Sequence, residues 1–265
     1  MSSRLGEKSL LERSIDKIGG LTLETRASFF EYMDNLSKEL PKVHVEELIQ
    51  QVNHIDHVYL VLVDIIKGFC ETGALSSEKV NEMVEPVWNL AQSLLKKGIP
   101  HQNVVFLNDA HPKDAVEFSA FAPHCVRGTG EEEVVATLKP LQDLPGVQTF
   151  SKNATTGLFG INQQGQAFHS WLEEVFTKRD SLFIVVGDCT DLCIYQNAMG
   201  IRLLANERNA QTQVVVSKEH VRTYDVSVKQ AKQLNILAHP HEVIDQFFLY
   251  HMKLNGIQVV SSIET

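Results

Sequence analysis

The sequence contains only four cysteines in 265 residues, and no apolar run approaches the roughly 20 residues of a membrane-spanning helix. Four cysteines are too few for a disulfide scaffold in a chain of this length, which favours a reducing compartment. The first residues, Met1 to Lys8, lack the apolar core of a secretory signal peptide. We therefore expect a cytoplasmic protein that has no membrane partner.

Basic residues are also scarce. Lys and Arg number 24, against 33 Asp and Glu, so the formal net charge is −9. Because nucleic-acid binding depends mainly on neutralising phosphates, this balance argues against a nucleic-acid partner. The remaining composition is ordinary, with 43% hydrophobic residues, 8 Pro and 15 Gly. It excludes collagen, coiled coil and disorder, and predicts one large domain or two small ones.

The first 55 residues differ in pattern from the rest of the chain. Apolar residues recur at helical spacing over 10–18 and 29–40, and a short helix is indicated over 45–52. We predict a helical N-terminal extension over residues 1–55, followed by a main domain over 56–265. The apolar helix faces need a partner, which is either the main domain or another subunit. A subunit contact would make the protein a homo-oligomer, which is the quaternary state we expect.

In the main domain, short β-branched runs alternate with segments of helix length. Six apolar runs predict strands over 58–63, 104–107, 147–150, 182–186, 213–216 and 257–260. Helices are predicted between them over 78–97, 131–138, 166–178 and 192–208. Fully apolar strands that alternate with helices indicate a parallel sheet covered on both faces. We predict a three-layer α/β/α domain with a mainly parallel central sheet of about six strands.

Four reactive side chains follow predicted strands. Asp64 comes directly after the first strand, Asp109 after the second, Lys152 after the third, and Cys193 a short turn beyond the fourth. Ligands of open parallel sheets bind outside the carboxyl ends of the strands. Each residue alone could be ordinary turn chemistry, but the four together predict a site along one edge of the sheet.

Cys193 lies in a segment, Val185 to Asn197, that runs from an apolar strand through a turn into a helix. With Thr190 as the N-cap, Cys193 would fall in the first helical turn. The free N–H groups there favour a thiolate, lower the thiol pKa and could hold an oxyanion. The alternative is a small buried hydrophobe, and Cys189 is closer to that description. The gap between the two cysteines matches no common zinc or redox motif.

The long loop after the second predicted strand, residues 108–130, offers ligands for a metal ion. Asp109 and His111 can face the same ion from an extended segment, His124 offers a third ligand and Glu117 a fourth. Carboxylate and imidazole together suit Zn, Fe or Mn, of which we expect Zn. An Asp-x-His pair is often coincidental, so the metal prediction depends on His124.

We assign no function to two weaker sequence motifs. Gly128 to Gly130 lacks the third glycine of a dinucleotide-binding fingerprint and does not follow a strand. The pair His239-Pro240-His241 opens the last predicted helix, where we interpret the histidines as capping or packing residues.

Three segments, in this order, resemble the isochorismatase-like cysteine hydrolases: Leu60 to Phe69, Lys152 after its strand, and Gly187 to Cys193. In addition, Asp109 to His111 followed by Phe121 to Thr129 is similar to the metal loop of the nicotinamidases in that family. The resemblance covers about residues 58 to 260 and implies the α/β/α fold of the family. It also implies hydrolysis of a small amide, most directly nicotinamide to nicotinate and ammonia, through a cysteine thioester.

The same resemblance implies roles for residues already singled out. The catalytic triad would be Asp64, Lys152 and Cys193. The metal ligands would be Asp109, His111 and His124.

Further roles follow from the resemblance alone. Phe69 and Phe121 would flank the pyridine ring of the substrate. A cis peptide bond between Asp188 and Cys189 is implied, and it would aim the N–H groups of Cys189 and Cys193 at the oxyanion.

Several functions stay open at this point. Another cysteine amidohydrolase of the superfamily, acting on a ureido or carbamoyl compound or on maleamate, would keep the acid, the lysine and the cysteine. Those enzymes generally lack the metal loop, so Asp109, His111 and His124 favour nicotinamide. From a different class, the chain could be an idle binding or assembly module, since fold alone does not guarantee activity.

Overall fold

The computed structural model describes residues 17–18, 21–178 and 180–265. The chain divides into two compact units between Glu39 and Leu40. The smaller unit contains two short antiparallel strands, β1 (Lys17–Ile18) and β2 (Leu21–Thr22), and helix α1 (Leu23–Lys38). The helix predicted over 29–40 is therefore confirmed, with an earlier start. The helix predicted over 10–18 lies outside the described residues, except for the two residues of β1.

The larger unit begins at Leu40, earlier than the boundary predicted at residue 55. Strand β3 (Lys42–His44) pairs in parallel with the last strand, β11 (Ser262–Glu264). Helix α2 (Val45–Gln51) then buries Val45 and Leu48 in the core. Residues 40–55 belong to the α/β unit because this long-range pairing and this burial fix them there.

The centre of the larger unit is a sheet whose strand order, within the described residues, is β10-β9-β8-β4-β5-β6-β7. Its strands are β4 (Val58–Val63), β5 (Val104–Asp109), β6 (Gln148–Lys152), β7 (Ile161–Asn162), β8 (Ser181–Asp188), β9 (Thr212–Arg222) and β10 (Gln258–Val260). All neighbours are parallel except β7, which is antiparallel to β6. The six predicted strands are confirmed. The short edge strand β7 has no apolar run that could have predicted it.

Helices cover both faces of this sheet. After α2, the described residues form α3 (Lys67–Cys70), α4 (Glu78–Asn81), α5 (Val84–Lys96), α6 (Lys139–Gln142), α7 (Phe168–Lys178), α8 (Tyr195–Glu207), α9 (Val228–Leu234) and α10 (His241–Leu254). Successive side chains of β4 belong to two different cores, Leu60 and Leu62 to one and Val61 and Val63 to the other. Helices α2 and α5 supply the first core, and α7, α8 and α10 supply the second. The three-layer α/β/α prediction is thus confirmed.

The helix predicted over 131–138 does not form. The carbonyls of Glu131 and Glu133 instead accept hydrogen bonds from the N–H groups of Gly68 and Lys67, both at 2.8 Å. Val134 forms an isolated antiparallel bridge with Ile66. Because these backbone groups bind the segment that follows β4, they are not available for helical hydrogen bonds.

None of the helices in the described part of the chain combines the length and the apolar character needed to cross a lipid bilayer.

Candidate active site

The carboxyl ends of β4, β5 and β6 meet at one edge of the sheet, as the sequence predicts. The register pairs Val63 with Leu107 and Asp109 with Lys152. Asp64, directly after β4, has a φ of 55°, in the left-handed region that aspartate tolerates better than most residues. Its N–H donates to the Leu107 carbonyl at 3.0 Å. This turn holds the Asp64 carboxylate beside the ends of the next two strands.

The Lys152 ammonium is buried between two carboxylates. Its Nζ lies 2.7 Å from Asp64 Oδ2 and 2.5 Å from Asp109 Oδ1. It also donates to Cys193 Sγ at 3.6 Å. Burial opposes the charge on Lys152, but Asp109 and Asp64 outweigh burial and raise the lysine pKa well above its ordinary value. Lys152 therefore remains a cation that contacts both acids and the thiol.

The environment of Asp64 suits proton transfer. Burial and the nearby Asp109 carboxylate together raise the pKa of Asp64 to about 6, although Lys152 opposes them. The Asp64 Oδ1 accepts a hydrogen bond from the Asp109 N–H at 2.7 Å, which fixes the orientation of the carboxyl. A carboxyl group that titrates near neutral pH can both take up and return a proton. The Cys193 Sγ lies within 4.8 Å of a carboxylate oxygen of Asp64.

Cys193 lies in a five-residue π-helical turn, Thr190–Ile194, directly before α8. The Ile194 N–H donates to the Cys189 carbonyl at 3.1 Å, and such turns are frequent at functional sites. Cys189 rather than Thr190 is the N-cap, so the N-cap prediction is wrong. The Asp188–Cys189 peptide bond is cis, as the resemblance implied.

The Cys193 thiol does not have the lowered pKa that its position at a helix start predicts. Burial raises the pKa of Cys193 well above its ordinary value, although Lys152 opposes this effect. The lowered pKa was predicted from the position at the helix start alone, whereas Cys193 is only 6% exposed and burial disfavours its thiolate. The thiol therefore needs a base to remove its proton, and the Asp64 carboxyl lies beside it.

Gly187 allows β8 to lie very close to β4 next to this site. Its φ is +124°, and a Cβ there would lie 2.0 Å from the Val63 carbonyl oxygen. We expect Gly187→Ala to lower the free energy of unfolding by more than about 3 kcal/mol, measured by urea denaturation. Gly165→Ala is the matched control, since Gly165 also has a positive φ but no atom within 4 Å of its Cβ position. Equal urea midpoints for the two variants would contradict the prediction.

Three side chains form a group suited to a divalent metal ion. Asp109, His111 and His124 are buried, and one ligand atom from each lies within 4.8 Å of the others. His111 Nδ1 contacts Asn153 Oδ1 at 2.8 Å, and His124 Nδ1 contacts the Ala122 carbonyl at 2.8 Å. These contacts leave Nε2 of each ring for a ligand, and His111 Nε2 has no hydrogen-bond partner within the described residues. Two imidazoles and a carboxylate with such outer contacts fit a metal site.

Glu117, the fourth predicted ligand, does not belong to this group. It lies in a 3₁₀ turn, Val116–Ser119, and is half-buried. Burial and the nearby Asp109 carboxylate raise the pKa of Glu117, while His111 opposes them. Glu117 is therefore a neighbour of the group and not one of its three members.

Aromatic rings surround His124. The Phe69 and Phe121 rings, both predicted to flank the substrate, lie with centroids 5.4 and 6.2 Å from that of His124. Phe118 lies 5.7 Å from His124 and 5.3 Å from His111. Phe118 was not predicted from the sequence, although it is in the same aromatic loop as Phe121. The rings form an apolar wall beside the three candidate ligand side chains.

Comparison with known proteins agrees with this fold. The family model described as the isochorismatase domain matches residues 58–216, which is more than half of the chain. The chain therefore belongs to the isochorismatase domain family. In sequence it is similar to nicotinamidase 1 of Arabidopsis thaliana, with 31% identity over 242 residues that cover 87% of this chain and 95% of the relative.

Two solved structures show the same fold. Nicotinamidase from Bacillus subtilis is 23% identical, with a TM-score of 0.57 and coverage of 77% of this chain and 99% of that one. N-carbamoylsarcosine amidase from Thermoplasma acidophilum is 21% identical, with a TM-score of 0.55 and coverage of 78% and 98%. Since these names denote different substrates, the fold alone does not decide the substrate.

Proposed function

We propose that the protein is an amidohydrolase that converts nicotinamide and water to nicotinate and ammonia. The observation that carries the proposal is the position of Asp109, which links two groups of side chains. Its Oδ1 lies 2.5 Å from Lys152 Nζ, and its Oδ2 lies 3.5 Å from His111 Nε2. One small substrate would thus place its amide carbon at Cys193 and its ring nitrogen near the histidines at the same time. The 31% identity to a plant nicotinamidase supports this choice.

The first half of the reaction makes a thioester. Asp64 takes the proton from the Cys193 thiol, and the sulfur attacks the carboxamide carbon. Lys152 stabilises the charges of both groups during this transfer. The N–H groups of Cys189 and Cys193 stabilise the oxyanion, a contribution of about 3 kcal/mol per donor. The C–N bond then breaks, and Asp64 returns its proton to the departing ammonia.

The second half regenerates the thiol. Asp64 removes a proton from water, and the resulting hydroxide attacks the thioester carbon. The C–S bond breaks, the proton on Asp64 returns to the Cys193 sulfur, and nicotinic acid leaves and loses its carboxyl proton to solvent as nicotinate. Asp64 thus acts alternately as base and acid, which suits its pKa of about 6.

A divalent ion, which we propose to be zinc, would be held by Asp109, His111 and His124. His111 Nε2 faces Asp109 Oδ2 at 3.5 Å and has no hydrogen-bond partner among the described residues, and this arrangement, with the carboxylate–imidazole donor set, fits such an ion. When bound, it would supply a Lewis-acid position that orients the substrate ring. We propose that Glu117, which lies outside the group, contacts the ion through water. Phe69 and Phe121 are the proposed apolar walls for the ring.

His111→Ala should remove the metal and weaken substrate binding without removing the triad. We expect the bound metal to fall from about one ion per chain to less than a tenth, and KM to rise at least tenfold. Elemental analysis after gel filtration, together with ammonia kinetics, measures both effects. His169→Ala is a control, because His169 contacts Ser170 and Phe159 rather than the ligand group. Full metal content in His111→Ala would contradict the assignment.

An ammonia assay on purified protein tests the proposed function. We expect the highest kcat/KM for nicotinamide within a panel that also contains pyrazinamide, maleamate and biuret. A preference for maleamate or biuret would instead support another amidohydrolase of the family. No ammonia from any of the four compounds, with metal added, would support an idle module.

The proposed compartment is the reducing cytoplasm, because Cys193 must remain a free thiol. Cys193 and the other three cysteines are all free in the structure. A homo-oligomer is the proposed quaternary state, since α1 leaves Leu23 and Phe30 exposed at 51% and 47%. Light scattering of the full chain tests this.

A further inference from the structure

A histidine that the proposed chemistry does not use binds the π turn that carries Cys193. His239 Nε2 lies 2.8 Å from Asp191 Oδ2, and its Nδ1 lies 2.9 Å from the Tyr224 carbonyl oxygen. Asp191 belongs to the π turn and precedes Cys193 by two residues. The other Asp191 oxygen accepts a hydrogen bond from the Thr223 hydroxyl at 2.6 Å. Both oxygens of Asp191 are thus bound.

The His239 ring must carry a proton on each nitrogen, because both nitrogens face acceptors. Burial opposes this charge, but Asp191 raises the pKa of His239 above its ordinary value. The Tyr224 ring stacks on the imidazole at 3.8 Å, and burial raises the phenol pKa to about 12, so the phenol stays neutral. Two further acids lie near: Asp225, whose carboxylate contacts His241 Nδ1 at 3.2 Å, and Asp245, which interacts with Asp191 and His241. The ring is therefore an imidazolium held by Asp191.

The position of His239 does not depend on the π turn. Its N–H and carbonyl form a two-way backbone bridge with Val226, at 2.7 and 2.9 Å. The chain immediately before it, residues 232–238, is exposed and contributes no core packing. The ring thus reaches Asp191 from a fixed backbone, and its contacts with the π turn are polar.

We propose that His239 is a positioning residue for the reaction, whose imidazolium binds Asp191 and so fixes the turn that carries Cys193. The Sγ of Cys193 lies 3.6 Å from Lys152 Nζ, a distance that a small shift of this turn would lengthen. Loss of the contact should therefore slow the chemical step more than it weakens substrate binding. The kinetic readout of this inference rests on the proposed function.

The first test compares His239→Ala with His241→Ala. His241 is the matched control because it lies in the same segment and pairs with Asp225, which is outside the π turn. We expect His239→Ala to lower kcat for nicotinamide about 10- to 100-fold and to change KM less than about threefold. His241→Ala should change neither by more than about twofold. Equal kcat values for the two variants would overturn the proposal.

A pH profile separates this role from a structural one. As the pH rises through the raised pKa of His239, the ring loses one proton and with it one of its two hydrogen bonds. Wild-type kcat should therefore fall over that range. His239→Gln keeps a donor for Asp191 but does not titrate, so its kcat should be intermediate and lack this fall. The same fall in His239→Gln as in the wild type would overturn the proposal.

Alkylation of Cys193 tests the inference independently of the substrate. Iodoacetamide reacts with the thiolate, and peptide mass spectrometry measures the rate at Cys193. We expect at least about fivefold slower alkylation in His239→Ala than in the wild type, and no change in His241→Ala. Equal rates in all three proteins would overturn the inference. A wild type that is alkylated normally but releases no ammonia would contradict the proposed function alone.

Discussion

Cys193→Ala should abolish ammonia release from nicotinamide, with a loss of at least about 10⁴-fold in kcat. The thiol is the one nucleophile that the structure places beside both Asp64 and Lys152 within the described residues. Removal of the sulfur takes away the atom that forms the thioester, and neither remaining side chain can replace it. The fold should persist, because alanine fits the space of a small buried side chain. Ammonia assays and thermal unfolding of the purified variant measure the two effects.

Cys70→Ala is the matched control for this variant. Cys70 is also a buried free thiol, but it lies in α3 and contributes to the core rather than to the triad. Its variant should keep most of the wild-type kcat. Near-normal turnover in Cys193→Ala would exclude the covalent route, and equal losses in both variants would indicate a structural effect.

Lys152→Met should lower both kcat and the free energy of unfolding. The substitution leaves two buried carboxylates, Asp64 and Asp109, without the cation that lies 2.7 and 2.5 Å from them. Loss of one partner from a buried ion group typically destabilises by about 3 to 5 kcal/mol. We expect a decrease of that size in the free energy of unfolding, and a loss of about 10³-fold or more in kcat. Urea denaturation and ammonia assays measure them.

Lys67→Met provides the comparison with an exposed ion pair. Lys67 Nζ lies 2.6 Å from Glu133 Oε2, but both side chains are substantially exposed to solvent. Water screens such a pair, so its removal should barely move the urea midpoint. A Lys152→Met variant as stable as Lys67→Met would contradict the ion group described here.

The sequence predicts which side chains cluster at the sheet edge better than it predicts the domain boundary, for a physical reason. Asp64, Asp109 and Lys152 follow or end short apolar strands, and parallel strands align their carboxyl ends at one edge. A local pattern therefore predicts a spatial cluster. The pairing of β3 with β11 joins opposite ends of the chain, and no local pattern carries that information.

Other features depend on contacts that a one-dimensional pattern does not contain. The raised pKa of Cys193 results from burial, which the predicted helix start did not include. The helix predicted over 131–138 is replaced by bonds from Gly68 and Lys67 to backbone carbonyls of that segment. His239 was interpreted as a capping or packing residue, and its partner Asp191 is too distant in sequence for the local pattern to indicate that contact.

Rapid acid quenching shows whether Cys193 forms a covalent acyl intermediate. Wild-type protein in excess over nicotinamide would be quenched through a single turnover, and peptide mass spectrometry would locate any added group. We predict a nicotinoyl group on Cys193 that rises and then falls as nicotinate forms. Complete conversion of nicotinamide with no acylated Cys193 at any time point would contradict a covalent intermediate.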